Sequence, residues 1–444
     1  MTNPGRDLSF FIIFASKYKE TAMLKKSNAW LWIPTLYFAS GLPYHAITSI
    51  SDIMYKDMGI DNADITLYTS LLLIPWTIKP LWSPIVEMIS TRRKWTLVSQ
   101  LLLAISFAAV ALVIPSTHFL TLTLVAFFAG AFISSTHDIA LDGFYMLGLP
   151  QEKQSFFSGI RNTFYRIATV FGSGILVMLA GNIARNSGDS RLAWSSTFAV
   201  TGIIMLALYL YNRKAMPKPG KDFSRNVGIT GAFANYGDII KTYFRKPGII
   251  PAVLFLLLFR FPEAQLAKMS KLFLMDPGKA GGLELSNSDI GFIYGVVGVI
   301  GLILGGIIGG ICISRKGLKY WLWPMVIAIS LPDAVYIYMS MELPASLTTV
   351  GSCIFIEQLG YGFGFTAYTL YMIYFAQGKY PTAHFAISTA FMSLGMMLPG
   401  MFAGQLQEWW GYENFFIWVT ACTAITFAVS ALIKIDPNFG KKQK

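Results

Sequence analysis

The apolar stretch from 119 to 147 contains THDIALD, which carries His137, Asp138 and Asp142. Asp138 and Asp142 are four residues apart, so on a helix they share one face. The next apolar stretch, 156–181, carries Arg161 and Arg166. Asp142 lies about six residues before the turn between the two stretches and Arg161 about six after it. Asp138 and Arg166 also fall at similar depth, so the acids and bases are expected to pair. A third stretch, 249–274, holds Arg260, Pro262, Glu263 and Lys268, and Pro262 is predicted to kink it. A fourth, 346–375, holds Glu357, followed by Tyr361, Gly364, Tyr368 and Tyr371 at spacings of four, three, four and three. That spacing sets an acid and a polar-aromatic stripe on one helix face. His45 sits near Gly41 and Pro43, Lys79 ends the second apolar stretch, and Asp333 lies in the ninth.

Ionisable groups at the centre of a bilayer are costly unless they are paired or face water. A carboxylate in a poorly solvated space gains proton affinity, and a nearby guanidinium opposes that gain. The proton-coupling candidates are therefore Asp138, Asp142, His137, Glu357 and Glu263. Histidine titrates near neutrality. The substrate-binding candidates are Arg166, Arg161, Arg260, Lys79, His45, Tyr368 and Tyr371. Guanidinium grips a carboxylate through two parallel hydrogen bonds, and the tyrosines would pack on a sugar face. Each has a structural rival: a snorkelling Lys79, a purely packing tyrosine stripe, a neutral hydrogen-bonding His137, a helix-pairing Asp333. Asp52 is expected at the outer surface.

The elements that must hold these residues are membrane helices. Of 444 residues, 54% are hydrophobic and 13% charged, against roughly 25% charged in soluble domains. Twelve apolar runs are long enough to span, at 30–54, 65–84, 96–115, 119–147, 156–181, 193–212, 249–274, 289–313, 319–340, 346–375, 383–406 and 414–434. Runs of this length exclude a barrel, whose strands take about 10 residues of alternating polarity. The predicted organisation is a cytoplasmic segment 1–28, a six-helix half 29–212, a basic linker 213–248, a second half 249–434 and a tail 435–444. STRRKW after the second run and SRKGLKYW after the eighth echo each other, as parallel repeats would. With both termini cytoplasmic, 25 Lys and Arg fall on the cytoplasmic side and 4 on the other, with the rest inside runs. Residues 8–15 are apolar but too short to span; a signal-peptide core, an amphipathic segment and a start at Met23 all stay open.

The net charge of +12 follows the short loops, which argues for membrane orientation and against nucleic acid. Cys312, Cys353 and Cys422 have no metal or disulfide spacing, and the four histidines form no ligand set. No catalytic residue, metal or cofactor is expected, and no phosphate loop suggests ATP drive.

The chain resembles the AmpG-type muropeptide permeases, a branch of the major facilitator superfamily related to acetyl-CoA transporters. The matching segments are FASGLP (38–43), KPLWSPIVE (79–87) with TRRKW, HDIALD (137–142), Tyr165–Arg166, FIEQLGYGFG (355–364) and TAHFAISTA (382–390). They run in order along the whole chain. The resemblance implies an all-α membrane protein of twelve helices with the major facilitator fold, working by alternating access and driven by protons. It matches the family's helix-four aspartates to Asp138 and Asp142, its helix-two lysine to Lys79 and its helix-ten glutamate to Glu357. Its helix-seven basic and acidic pair looks similar to Arg260 and Glu263. In the superfamily helices one, four, seven and ten line the cavity, which adds His45. Two departures bear on substrate: the chain lacks the two extra C-terminal helices many such permeases carry, and His137 stands where glutamine is usual. The expected protein is a monomeric importer of cell-wall-derived muropeptides or anhydro-amino-sugars in a bacterial inner membrane. Its partners are an anionic small molecule, protons and lipid. The alternatives are another anionic solute, such as a nucleotide thioester or acidic sugar, and a membrane-embedded acyltransferase.

Overall fold

The computed structural model describes residues 28–83, 85–86, 90–149, 151–218 and 236–441, without the side chains of 151–156, 158, 159, 162 and 382. The N-terminal segment with Met23, part of KPLWSPIVE and much of the linker lie outside the described residues.

Every described element is helical. The helix α1 runs from Ile33–His45 through a π-helical turn, Ala46–Ile50, into Ser51–Asp57. Pro43 inside it lacks an amide proton, and the looser turn follows directly. α2 is split into Asn62–Leu71 and Ile74–Ile78, the second piece starting at Pro75. α3 is Arg92–Val113, capped by the Thr91 hydroxyl accepting from the Lys94 amide, and α4 is Phe119–Gly148. α5 joins Gln151–Val170 and Val177–Ser187 through a π turn, Phe171–Leu176, and α6 is Ser190–Ala215. A short helix, Tyr236–Phe244, stands in the stretch expected to be linker.

In the second half, α7 is Ile249–Leu258 plus Phe261–Met275, broken at Arg260 with Pro262 in the first turn of the second piece. The expected kink is there, because proline has no proton to give the carbonyl a turn back. α8 spans Asn287–Lys316. α9 is Leu318–Ser330 and Val335–Glu342 joined by the 3-10 turn Leu331–Ala334, which holds Pro332. α10 is Leu347–Ala376. Pro381–Leu432 is divided at Gly411, whose φ of 73° leaves the helical region, giving α11 (381–410) and α12 (412–432).

Eight of the described helices are long and apolar enough to cross a membrane. The expected twelve crossings need three more, the broken α1 and α2 and the polar α10, together with the division at Gly411. The outward faces are apolar: Leu112 is 80% exposed and Ile250 71%, as lipid-facing residues are.

Lipid removes the hydrophobic drive for helix pairing, so close backbone approach matters more. The two halves meet where α5 crosses α8 and α2 crosses α11. At the first seam a Cβ on Gly295 would overlap the Gly174 backbone. Within the second half, Gly301, Gly305 and Gly309 recur every four residues on α8 and press on the α10 backbone at Phe355, Leu359 and Phe363. Gly305→Val is expected to cost at least about 1–3 kcal/mol by overpacking. Gly310→Val, with nothing within 4 Å, should leave the fold intact. Thermal unfolding midpoints of the two purified variants check this contrast.

Candidate functional site between the halves

The α4 acids face α1. Asp138 accepts from the Ser40 hydroxyl at 2.6 Å and from the Trp76 indole at 3.1 Å. Asp142 lies 3.5 Å from the Arg161 guanidinium and accepts from Tyr37 at 3.4 Å. Arg161 in turn lies over the rings of Tyr37 and Tyr145, at 5.0 and 5.3 Å. The Asp142 side chain is 56% exposed, so water screens this pair. Lys79 opens a 3-10 turn in α2 and lies within electrostatic reach of Asp138.

Further in, Tyr44, His45, Tyr165 and Arg166 are half-buried on α1 and α5. The His45 Nε2 meets the Thr169 hydroxyl, and its ring stands edge-on to Tyr44 and Tyr165. Arg166 points across the interface: its guanidinium lies near Gly306 of α8 and within electrostatic reach of Tyr361 of α10. From the other half, Arg260 donates to the Tyr361 hydroxyl at 2.6 Å and lies 4.9 Å over the Phe365 ring. Arg260 sits at the break in α7, as the N-cap residue of its second piece. Arg166 and Arg260 therefore converge on Tyr361, one from each half. Lys271 joins them: it donates to Ser49 of α1 and lies 5.4 Å over the Tyr294 ring.

Behind Arg260 are three buried carboxyl groups. Glu263 of α7, Asp333 of α9 and Glu357 of α10 each place an oxygen within 4.8 Å of the others. At the end of the bundle away from the basic loops, polar contacts bolt the halves together. Lys268 lies 3.2 Å from Asp52 and donates to Thr69 at 2.7 Å. Lys56 pairs with Asp276, and Asn62 donates to Asp276, Gln407 and Tyr412. The Ala63 amide donates to Glu408 at 2.9 Å.

Several expectations change. Asp52 is 1% exposed and ion-paired inside the protein, not at a surface; it lies on the α1 face turned toward α7. Asp138 takes α1 and α2 partners, and among the described residues no ion pair joins it to Arg166. The α5 turn that brings Arg161 to Asp142 directs Arg166 toward α8. His137 points away from the two aspartates, buried against Gln100 of α3 at 3.2 Å. A neighbour one residue along a helix is rotated by about a quarter turn or more, which separates it from Asp138. Tyr368 and Tyr371 sit in the core: the Tyr368 hydroxyl donates to the Leu256 carbonyl at 2.6 Å, and Tyr371 packs on Phe255. Their sequence stripe is packing, and only its Tyr361 end reaches the interface. Lys268 was noted in the sequence but given no role, and Lys271 and Tyr294 were not singled out. The signal was two lysines three apart in an apolar run.

The profile of the Major Facilitator Superfamily matches residues 35–384. A relative described as putative transporter AmpG 4, from Rickettsia conorii, is 26% identical over 86% of this chain and 91% of its own. The anhydromuropeptide permease of Escherichia coli is 24% identical over 87% of this chain and 76% of its own. A crystal structure of the nucleoside transporter NupG superposes with a TM-score of 0.66 at 16% identity, covering 90% of this chain and 99% of that one. That likeness concerns the fold alone.

Proposed function

This chain belongs to the Major Facilitator Superfamily, and from that premise we propose that it imports an anionic amino-sugar or muropeptide by proton symport. It is a multi-pass membrane transporter, not an enzyme. The observation that carries the finer reading is the convergence of Arg166 and Arg260 on Tyr361 from opposite halves. Two guanidiniums that, among the described residues, have no carboxylate in hydrogen-bond contact suit a sugar acid carboxylate. The E. coli relative is described as an anhydromuropeptide permease, and an anhydromuramyl group carries such an acid. The 25-to-4 bias of basic residues supports cytoplasmic termini. The bolt at the Asp52 end then closes the outer face.

In this reading the substrate carboxylate bridges Arg166 and Arg260, and so ties the two halves together. His45 and Lys79 lie beside the path on the first half. Proton entry neutralises carboxylates among Asp138, Asp142, Glu263 and Glu357, and the halves rock about the α2–α11 and α5–α8 seams. The test is uptake of labelled N-acetylglucosaminyl-anhydro-N-acetylmuramic acid into proteoliposomes, with and without an inward proton gradient. Uptake that rises with the gradient supports the reading. No uptake by folded protein transfers the same site to another anionic solute. Uptake indifferent to the gradient rejects proton drive.

A further inference from the structure

We propose that Glu263, Asp333 and Glu357 form one shared proton-holding site in the second half, and that Asp333 is a working member of it. Three helices that are far apart in sequence bring these acids together. Glu263 follows the break in α7, Asp333 occupies the 3-10 turn of α9, and Glu357 lies in the middle of α10. They are 7%, 3% and 2% exposed. Their oxygens lie within 4.8 Å of one another, a separation that one bridging group or a small side-chain shift spans.

Among the described residues, no Lys, Arg or His makes an ion pair with any of the three. The Gln358 amide donates to both oxygens of Glu357, at 2.8 and 3.2 Å. Among the described residues the Oε2 of Glu263 has no hydrogen-bond partner. Like charges this close in a dry site cannot all be ionised, so protons must stay on the group. A second feature points the same way. The Tyr336 hydroxyl is fully buried beside those of Tyr294 and Ser270 and, among the described residues, makes no well-formed hydrogen bond. It lies three residues beyond Asp333, on the same side of α9, and within electrostatic reach of Glu357. An acid that gains or loses a proton can change how this hydroxyl cluster is bonded.

The other titratable or charged groups around the site are Arg260 and Lys271 on α7, Tyr294 on α8 and Tyr361 on α10. The Arg260 charge acts on Glu263, which works against an added metal cation. A proton needs no coordination sphere and fits between two carboxyl groups. Arg260 also touches Tyr361, so the charge of the acid group is felt where the substrate anion is proposed to bind. Protonating the acids strengthens the net positive field there, which makes anion and proton binding mutually favourable.

The assignment of the site to coupling rests on the proton-symport reading, whereas its proton occupancy does not, and the experiment separates them. Infrared spectra of the purified full-length wild type and variants would be recorded at neutral pH and subtracted from one another, in choline and then in sodium chloride. The expected result is protonated-carboxyl absorption retained at neutral pH in the wild type and reduced in both Asp333→Asn and Glu357→Gln. Absence of that absorption in the wild type, its survival in both variants, or its removal by sodium would overturn the proposal. In proteoliposomes Asp333→Asn should keep substrate exchange but lose at least tenfold of gradient-driven accumulation. Unchanged accumulation would also overturn the coupling role. If the wild type carries no muropeptide at all, the substrate reading has failed and the infrared result still decides the proton site.

Discussion

Lys268→Ala is expected to open the outer end of the transporter and to nearly abolish uptake. Lys268 is 8% exposed and its partner Asp52 1%. Removing one member of a buried pair leaves an uncompensated charge, which costs about 3–5 kcal/mol. The pair joins α7 to α1, so the cost falls on the closed outer face and not on either half alone. At 1.4 kcal/mol per tenfold, the closed state loses population by about a hundredfold to several thousandfold. Asp52→Leu combined with Lys268→Met should recover most of the closure, because apolar replacement of a buried pair is often neutral or stabilising. Spin labels at the exposed Asp61 and Glu413 report the separation of the halves. A lengthened distance in Lys268→Ala that shortens again in the double variant is the expected pattern. Equal distances in all three proteins would rule out the bolt.

Arg166→Ala should lower uptake while leaving expression and thermal stability near wild type. The side chain is half-buried and, among the described residues, has no ion-pair partner, so its removal strands no charge. A hydrogen bond to a charged group contributes about 1.5–3 kcal/mol, which corresponds to roughly a 10- to 150-fold loss of apparent affinity. Arg166→Lys should recover only part, since an ammonium does not reproduce the two parallel hydrogen bonds. Arg260→Ala is a poorer probe, because it also strips Glu263 of a neighbouring positive charge. Normal uptake by Arg166→Ala would remove this residue from the substrate site and leave the anion reading to Arg260 and Lys271.

Much of this architecture is legible along the chain. Long apolar runs report helices because a bilayer leaves the backbone no other way to bond itself. The α4 and α10 runs, 119–147 and 346–375, differ by one residue at most at either end from Phe119–Gly148 and Leu347–Ala376. The break at Pro262 follows from one missing amide proton. The closeness of Asp142 and Arg161 follows from two antiparallel helices joined by a short turn, which sets equal depth at equal distance from the turn.

Other features depend on packing between segments. Residue type and spacing name a helix face but not the neighbour it meets. Asp52 and Lys268 are 216 residues apart, and nothing local distinguishes a buried partner from an outer-surface acid. The tyrosine stripe of α10 has one regular spacing, yet Tyr361 meets Arg260 while Tyr368 packs on Phe259. Arg260 at the α7 break meets the first, while Leu256 and Phe259 just before the break cover the second. Residue chemistry alone thus established a membrane transporter with costly interior charges and a basic end. Only the tertiary structure decided which charges meet, because helix rotation and the glycine-mediated approach of α5 to α8 and α8 to α10 are set by contacts between distant segments.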